Sequence, residues 1–193
     1  MATIICLVLG YLIGSLSCAI LISKLMGGKD PRTEGSRNPG ATNMLRLNGK
    51  NQAILVLVGD VLKGIIAVFI ATTAGVHGVM LALVALATVI GHIFPLYFQF
   101  KGGKGVATSI GVLFGLSMGL GIAALLTWVV IAAIFKYSSL AALVAIIFAP
   151  FYALILSSPT YFFPLVLMTV LVAWKHSENI KRLKDGTESK IEF

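Results

Sequence analysis

Apolar and polar positions fall in long blocks along this chain rather than in a single-residue rhythm. Apolar runs occupy about 2–25, 52–73 and 79–100, and three more blocks fill 106–135, 139–156 and 161–174. A helix of about 20 apolar residues spans a hydrocarbon core of about 30 Å, so these blocks predict membrane-crossing helices. Composition agrees, because a chain of 193 residues that is 58% hydrophobic and 11% charged has too little polar surface to cover a soluble globule. The first run has no basic segment before it and exceeds the apolar core of a signal peptide, so it reads as a retained helix.

Between the blocks lie polar islands, and the net charge of +8 sits almost wholly in them. The stretch from Lys24 to Lys50 carries six basic residues against two acidic ones, which places it on the cytoplasmic side and the N-terminus outside. The turn Ala74-Gly75-Val76-His77-Gly78 is uncharged and suits the outer face. The C-terminal tail, with Lys175, Lys181, Arg182, Lys184 and Lys190, belongs inside again. An even number of crossings is then needed between residue 105 and that tail, where three blocks are visible. Breaking 106–135 near Gly115, Gly119 or Gly121 satisfies the count and leaves Lys136 inside; each half is about 15 residues, or ~22 Å. The expectation is one all-α domain over 1–193, a polytopic membrane bundle of seven transmembrane helices with a cytoplasmic C-terminus. Five crossings with one re-entrant block is the alternative. No internal repeat is evident.

Candidate chemistry concentrates at Lys101-Gly102-Gly103-Lys104-Gly105-Val106-Ala107-Thr108-Ser109. Glycines let successive amides converge on an oxyanion, two lysines supply charge, and a helix starting near Val106 points its positive end the same way. A basic membrane-edge turn that only fixes topology reads equally well from this loop alone. It is not an ATP-binding loop of the Walker type, since Gly105 follows Lys104 and Phe98 stands where the first glycine is required. Asp60 and Lys63 stand one turn apart at membrane depth, where mutual pairing is the simpler reading and a functional role the lesser one. His92, before Phe94-Pro95, reads as a buried, hydrogen-bonded residue at a kink. Cys6 and Cys18 fall about three turns apart on one predicted helix and cannot pair there.

If the last helix continues through His176-Ser177-Glu178-Asn179-Ile180-Lys181-Arg182-Leu183, His176, Asn179 and Leu183 share a face, while Glu178 and Arg182 make an i, i+4 pair. Taken alone, this is also how a solvated amphipathic tail looks. All three islands emerge on one side of a small membrane domain, however, and together supply fixed cations (Arg37, Arg46, Lys104), a hydroxyl (Ser36), an imidazole (His176) and carboxamides (Asn38, Asn43, Asn179). That set suits a phosphate-bearing, partly lipidic reaction at the inner surface. No pair of loop carboxylates is available for magnesium, which argues against nucleotide-dependent phosphoryl transfer. The basic residues form short islands rather than a continuous patch, which argues against nucleic acid.

Three motifs carry a resemblance to a known family over nearly the whole chain: Gly35-Ser36-Arg37-Asn38-Pro39-Gly40-Ala41-Thr42-Asn43, then Gly91-His92 leading into Gly102-Gly103-Lys104-Gly105-Val106-Ala107-Thr108, then His176 to Leu183. The sequence resembles the bacterial acyl-phosphate:glycerol-3-phosphate acyltransferases. The resemblance implies a multi-pass enzyme of the bacterial cytoplasmic (inner) membrane with its active site on the cytoplasmic side. It would transfer a fatty acyl group from acyl phosphate to the 1-hydroxyl of glycerol 3-phosphate, giving lysophosphatidic acid and inorganic phosphate, the first step of phospholipid synthesis. It implies no cofactor or metal, the two substrates and membrane lipid as partners, and is compatible with a monomer. Ser36, His176 and Asn179 are the implied catalytic residues. Arg37, Asn38, Asn43, Arg46, Gly102, Gly103, Lys104, Gly105 and Thr108 are the implied substrate contacts, with Glu178 and Arg182 supporting the site. The competing classes are a small transporter of organic phosphates or anionic lipids, with Asp60, Lys63 and His92 lining a path, and a structural subunit whose basic loops dock an acidic partner.

Overall fold

Helices account for all the regular structure among residues 1–191, which the computed structural model of the chain describes. In order they are α1 (Ala2–Gly14), α2 (Cys18–Leu25), α3 (Ala41–Asn48), α4 (Lys50–Thr73), α5 (Gly78–Ile93), α6 (Val106–Leu116), α7 (Met118–Phe135), α8 (Ser138–Leu156), α9 (Phe162–Lys175) and α10 (Ser177–Lys184). Single 3-10 turns lie at Leu96–Phe98 and Pro159–Tyr161. Four segments are apolar and long enough to cross a membrane alone, namely α4, Gly78–Phe98, α7 and α8, and the bent pair α1–α2 makes a fifth. Val106–Leu116 and Pro159–Lys175 are apolar but shorter.

The first helix is not the single rod expected over 2–25. It breaks at residues 15–17 and bends by 43°. Ser15 and Ser17 are buried there, and the Ser15 hydroxyl donates to the Tyr11 carbonyl at 2.8 Å, a back-bond that competes with the helical ladder. The block 106–135 also breaks, within the interval expected, at Ser117 in extended conformation (φ −165°, ψ 135°). Gly121 has no Cβ to strike the Phe114 ring, so α7 folds back against α6. An element not anticipated in the polar stretch is α3, which docks through the fully buried Met44 against Ala19, Ala53 and Val56. The last helix, expected to run through His176, instead divides there into α9 and α10.

Helix α4 packs against α6 at a distance only glycine allows. A Cβ on Gly64 would lie 2.6 Å from the Thr108 carbonyl oxygen, and one on Gly111 would strike the Val61 carbonyl. The core beyond this crossing is built from Val68, Val84, Val89, Leu113, Leu120, Ile146 and Met168. Large apolar side chains such as Phe69, Ile134 and Phe163 face outward, as helices immersed in lipid require.

Four polar side chains are buried where α4, α5 and α6 meet: Asp60, Lys63, His92 and Thr108. The Lys63 ammonium lies 2.8 Å from Asp60 Oδ1 and donates to the Leu16 carbonyl at 2.7 Å and to His92 Nδ1 at 2.9 Å. The Leu16 carbonyl is one that the α1–α2 break releases, and in a medium without water it needs such a partner. The Thr108 hydroxyl stands 3.1 Å from the same imidazole nitrogen. With Nδ1 accepting, the ring hydrogen belongs on Nε2. These groups close on one another.

Asp60→Leu should therefore be costly, by about 3–5 kcal/mol, because it leaves the Lys63 charge buried without its counter-charge. The double substitution Asp60→Leu/Lys63→Met should recover a good part of that loss. Thermal unfolding in detergent checks both, and equal damage from the single and double variants would show that the pair is not what stabilises this junction.

Candidate active site

The loop after α2 is tied up from within. The Asn43 side chain, 1% exposed, accepts from the Ser36 amide at 3.0 Å and donates to the carbonyls of Pro31 and Glu34 at 3.0 and 3.2 Å. Gly35 and Arg37 take left-handed conformations (φ 61° and 55°), which turn the Ser36 and Arg37 side chains out to solvent. A bidentate pair between Arg32 and Asp30, 2.7 Å at its shortest, braces the same loop.

The glycine loop, residues 101–105, lies on top of the buried polar cluster. The Gly103 amide donates to the His92 carbonyl at 3.2 Å, and a Cβ on Gly103 would strike His92 Nε2 and come within 2.9 Å of the Pro39 carbonyl. Gly102 is equally constrained, since a side chain there would meet the carbonyl of His92 and lie 2.5 Å from the Pro95 ring. Gly105 has φ 89° and serves as the N-cap of α6 without a capping side chain. Among the described residues no side chain caps the first amides of α6, which present the positive end of the helix dipole.

Lys104 leaves this loop toward α10, and its ammonium donates to Asn179 Oδ1. Burial pushes its pKa down to about 8, with the nearby Arg182 adding to the fall and Glu188 and Glu178 opposing it. The Asn179 amide donates in turn to Glu188 Oε1 at 2.7 Å, and Arg182 Nε donates to Glu188 Oε2 at 2.7 Å. His176 sits at the α9–α10 junction, 3% exposed, with Nδ1 donating to the Val172 carbonyl at 2.8 Å. Burial pushes its pKa down to about 4, despite that bond. The imidazole is thus neutral at physiological pH, with Nε2 carrying an open lone pair.

These segments enclose a cavity of about 540 Å³. The first loop contributes Ser36, Arg37 and Asn38, the glycine loop contributes Gly102 and Lys104, and the C-terminal segment contributes Glu178 and Arg182 together with Trp174, Lys175 and Ser177. A smaller hollow of about 290 Å³ shares Arg37, Gly102 and Lys175 and adds Arg32, Lys101 and Phe100. The walls are strongly cationic, and Trp174 and Phe100 are exposed at the rims, as aromatic residues are at a membrane–water boundary.

Not every residue expected at the site faces this cavity. Asn43 spends its carboxamide inside its own loop, and Arg46 is exposed on α3 outside the cavity wall. Gly103 and Gly105 are buried on the inner side of the loop, and Thr108 is turned to His92. Asn179 and His176 lie just behind the wall, Asn179 joined to it through Lys104. The expected pair of Glu178 with Arg182 is long, 3.9 Å, with the Glu178 side chain 85% exposed. The closer partner is Glu188, which sequence reasoning passed over. It is one of four acids in residues 175–193, eleven residues past the start of α10, and no periodicity places it.

The family model described as glycerol-3-phosphate acyltransferase matches residues 4–186. The chain is 53% identical over 193 residues to a glycerol-3-phosphate acyltransferase of Coxiella burnetii, covering 100% of both, and 49% identical over 195 residues to one of Legionella pneumophila, covering 100% of this chain and 70% of the relative. It is also similar to the crystal structure of PlsY, an integral membrane glycerol 3-phosphate acyltransferase, in its glycerol 3-phosphate form. The TM-score is 0.93 at 36% identity, over 100% of this chain and 96% of that one. The lysophosphatidic acid form of the same enzyme gives 0.91.

The burial of Lys104 has a direct spectroscopic consequence. With ¹³C-methylated lysines, one resonance should titrate at about pH 8, and Lys104→Arg should remove it. If no lysine signal lost in that variant titrates below the usual range near 10.5, the glycine loop is open to water in solution.

Proposed function

The chain belongs to the glycerol-3-phosphate acyltransferase family, and from that premise we propose that this membrane acyltransferase takes its acyl group from acyl phosphate and releases lysophosphatidic acid and inorganic phosphate. The observation that carries the reading is the convergence of Lys104, Arg37 and Arg182 with the glycine loop on one cavity at the edge of an apolar bundle. Both proposed reactants are anionic, and one carries a lipid chain. A cationic, amide-rich hollow rimmed by aromatic residues suits that pair.

The chemistry asks little of the protein. A mixed anhydride is already activated, so catalysis consists mainly in positioning two anions and stabilising the tetrahedral oxyanion. The 1-hydroxyl oxygen of glycerol 3-phosphate attacks the acyl carbonyl carbon, the new ester C–O bond forms, and the bond from that carbon to the bridging phosphate oxygen breaks. The hydroxyl proton passes either to His176 Nε2 or to a phosphate oxygen of a substrate; a neutral imidazole with Nδ1 engaged fits the first route. Lys104 and the glycine loop hold the phosphate of glycerol 3-phosphate, Arg37 and Asn38 assist with substrate binding, and Ser36 donates to a reacting oxygen; Arg46, outside the cavity wall, adds only to the positive field around it. Asn43 acts by shaping the loop that presents Ser36. Asn179 aligns Lys104, since its oxygen faces that ammonium, and Glu178 and Arg182 support the C-terminal wall.

The rest of the proposal is topological. Counting α1–α2, α4, α5, α6, α7, α8 and α9 as spans gives seven crossings of the bacterial inner membrane, with the N-terminus outside, the C-terminus and active site cytoplasmic, and residues 1–193 forming a single domain compatible with a monomer. The excess of basic residues in the first loop and tail supports that orientation.

Purified protein given acyl phosphate and labelled glycerol 3-phosphate should yield labelled lysophosphatidic acid, and acyl-CoA should not replace the donor. No acylated Ser36 should accumulate when the acceptor is withheld. Lys104→Ala should raise the KM for glycerol 3-phosphate by about tenfold or more, from loss of a charge-assisted contact. Because a deprotonated Lys104 has no charge, kcat/KM for glycerol 3-phosphate should decline as pH rises past about 8, and Lys104→Arg should abolish that decline. Unchanged kinetics in Lys104→Ala would remove the loop from the site.

A further inference from the structure

We propose that Glu188 in the C-terminal tail is a positioning residue of the active site, clamping Asn179 and Arg182 so that Lys104 is held over the substrate cavity. This rests on the functional reading above and adds to it a residue outside all three motifs.

The Glu188 carboxylate receives three hydrogen bonds from two places in the fold. The Ser139 hydroxyl at the start of α8 donates at 2.7 Å, the Asn179 amide of α10 at 2.7 Å, and Arg182 Nε, also of α10, at 2.7 Å. The side chain is only 9% exposed, although it belongs to a segment with no regular secondary structure. The tail is pinned on its other side by the Ile191 amide, which donates to the Lys136 carbonyl at 2.7 Å. Glu188 therefore bridges the α7–α8 turn to α10.

The bridge fixes an orientation as well as a position. The Asn179 carboxamide can face Lys104 with either its oxygen or its NH₂ group. The carboxylate on its far side admits only the NH₂, so the oxygen is left to accept from the ammonium. The result is a row of alternating polarity: Lys104 cation, amide oxygen, amide NH₂, Glu188 anion, Arg182 cation. Without the anion, nothing holds Asn179 in this sense, and Arg182 is left to the long, exposed contact with Glu178. The carboxylate is well suited to this, because burial opposes its charge but the bonds from Ser139, Arg182 and Asn179 keep its pKa below the usual range.

The test uses the full-length protein in detergent or liposomes, with the acyltransferase assay run across pH on the parent, Glu188→Gln and Glu188→Asp. Glutamine keeps the shape and loses the charge; aspartate keeps the charge. The charged groups acting on Lys104 are Arg182, Glu188, Glu178 and Lys175, so removing Glu188 takes away an anion that supports its protonation. The expected result for Glu188→Gln is a fall of about tenfold or more in kcat/KM for glycerol 3-phosphate. Its decline at high pH should begin at a lower pH than in the parent, with thermal stability largely retained and partial recovery in Glu188→Asp. Parent-like kinetics in Glu188→Gln would overturn the proposal. So would a loss that leaves the pH of the decline unmoved, since that is what a merely structural contact gives. Activity of the parent in the same assay separates either failure from a failure of the acyltransferase reading itself.

Discussion

The glycine loop lies directly on the His92 ring and carbonyl, and that contact governs the geometry of the cavity above it. Neither Gly102 nor Gly103 has room for a side chain, so the loop backbone takes its shape from what is underneath. Underneath, His92 is held by Lys63 and Thr108, and Lys63 is held by Asp60 and by the carbonyl that the α1–α2 break exposes. Polar groups at this depth are stable only when each finds a partner, so the cluster has few arrangements open to it. A loop that would otherwise be free to wander is thereby seated on a support shared by α4, α5, α6 and the α1–α2 break. Gly105 then turns the chain into α6, and Lys104 is delivered toward α10.

Electrostatics above the loop follow from that placement. Bringing Lys104, Arg37, Arg182 and Lys175 around one cavity is costly without counter-charge; burial is the main reason the Lys104 pKa is depressed, and Arg182 and Lys175 add to the fall. An anionic ligand relieves it, and in a partly desolvated hollow its attraction is larger than in water. Glu188 offsets some of the repulsion from behind the wall and leaves the front free.

Apolar block length and charge parity were enough to predict a break within 106–135, since Lys136 and the basic tail cannot otherwise lie on the same side as the glycine loop, and the chain turns at Ser117. The buried Asp60–Lys63 pair and the hydrogen-bonded His92 were legible for a related reason: charges at membrane depth have few options. The α1–α2 break was not legible, because Ser15 and Ser17 look like ordinary small packing residues, and only the partnership of Leu16 with Lys63, 47 positions away, shows what the break is for. Helix α3 was hidden inside a stretch whose charges dominate its reading. At the site, the family resemblance pointed to Asn43 and Thr108 as ligand contacts, but their hydrogen bonds go inward, to the loop and to His92. Glu188 was invisible because its position depends on how an irregular tail folds back over α8 and α10, a tertiary fact that no local pattern carries.

The central claim is that the first loop, the glycine loop and the C-terminal helix form one cavity on one face of the membrane. Replacing Ser36 and Ser177 with cysteine, in a background where Cys6 and Cys18 are alanine, places two thiols on its opposing walls. A short, membrane-impermeant bis-maleimide should join the two thiols within one chain when applied from the cytoplasmic side of inverted vesicles. Glycerol 3-phosphate should slow the reaction. If the two positions instead react only from opposite faces of the membrane, or fail to cross-link while each is labelled singly, the three segments do not meet and the account is wrong.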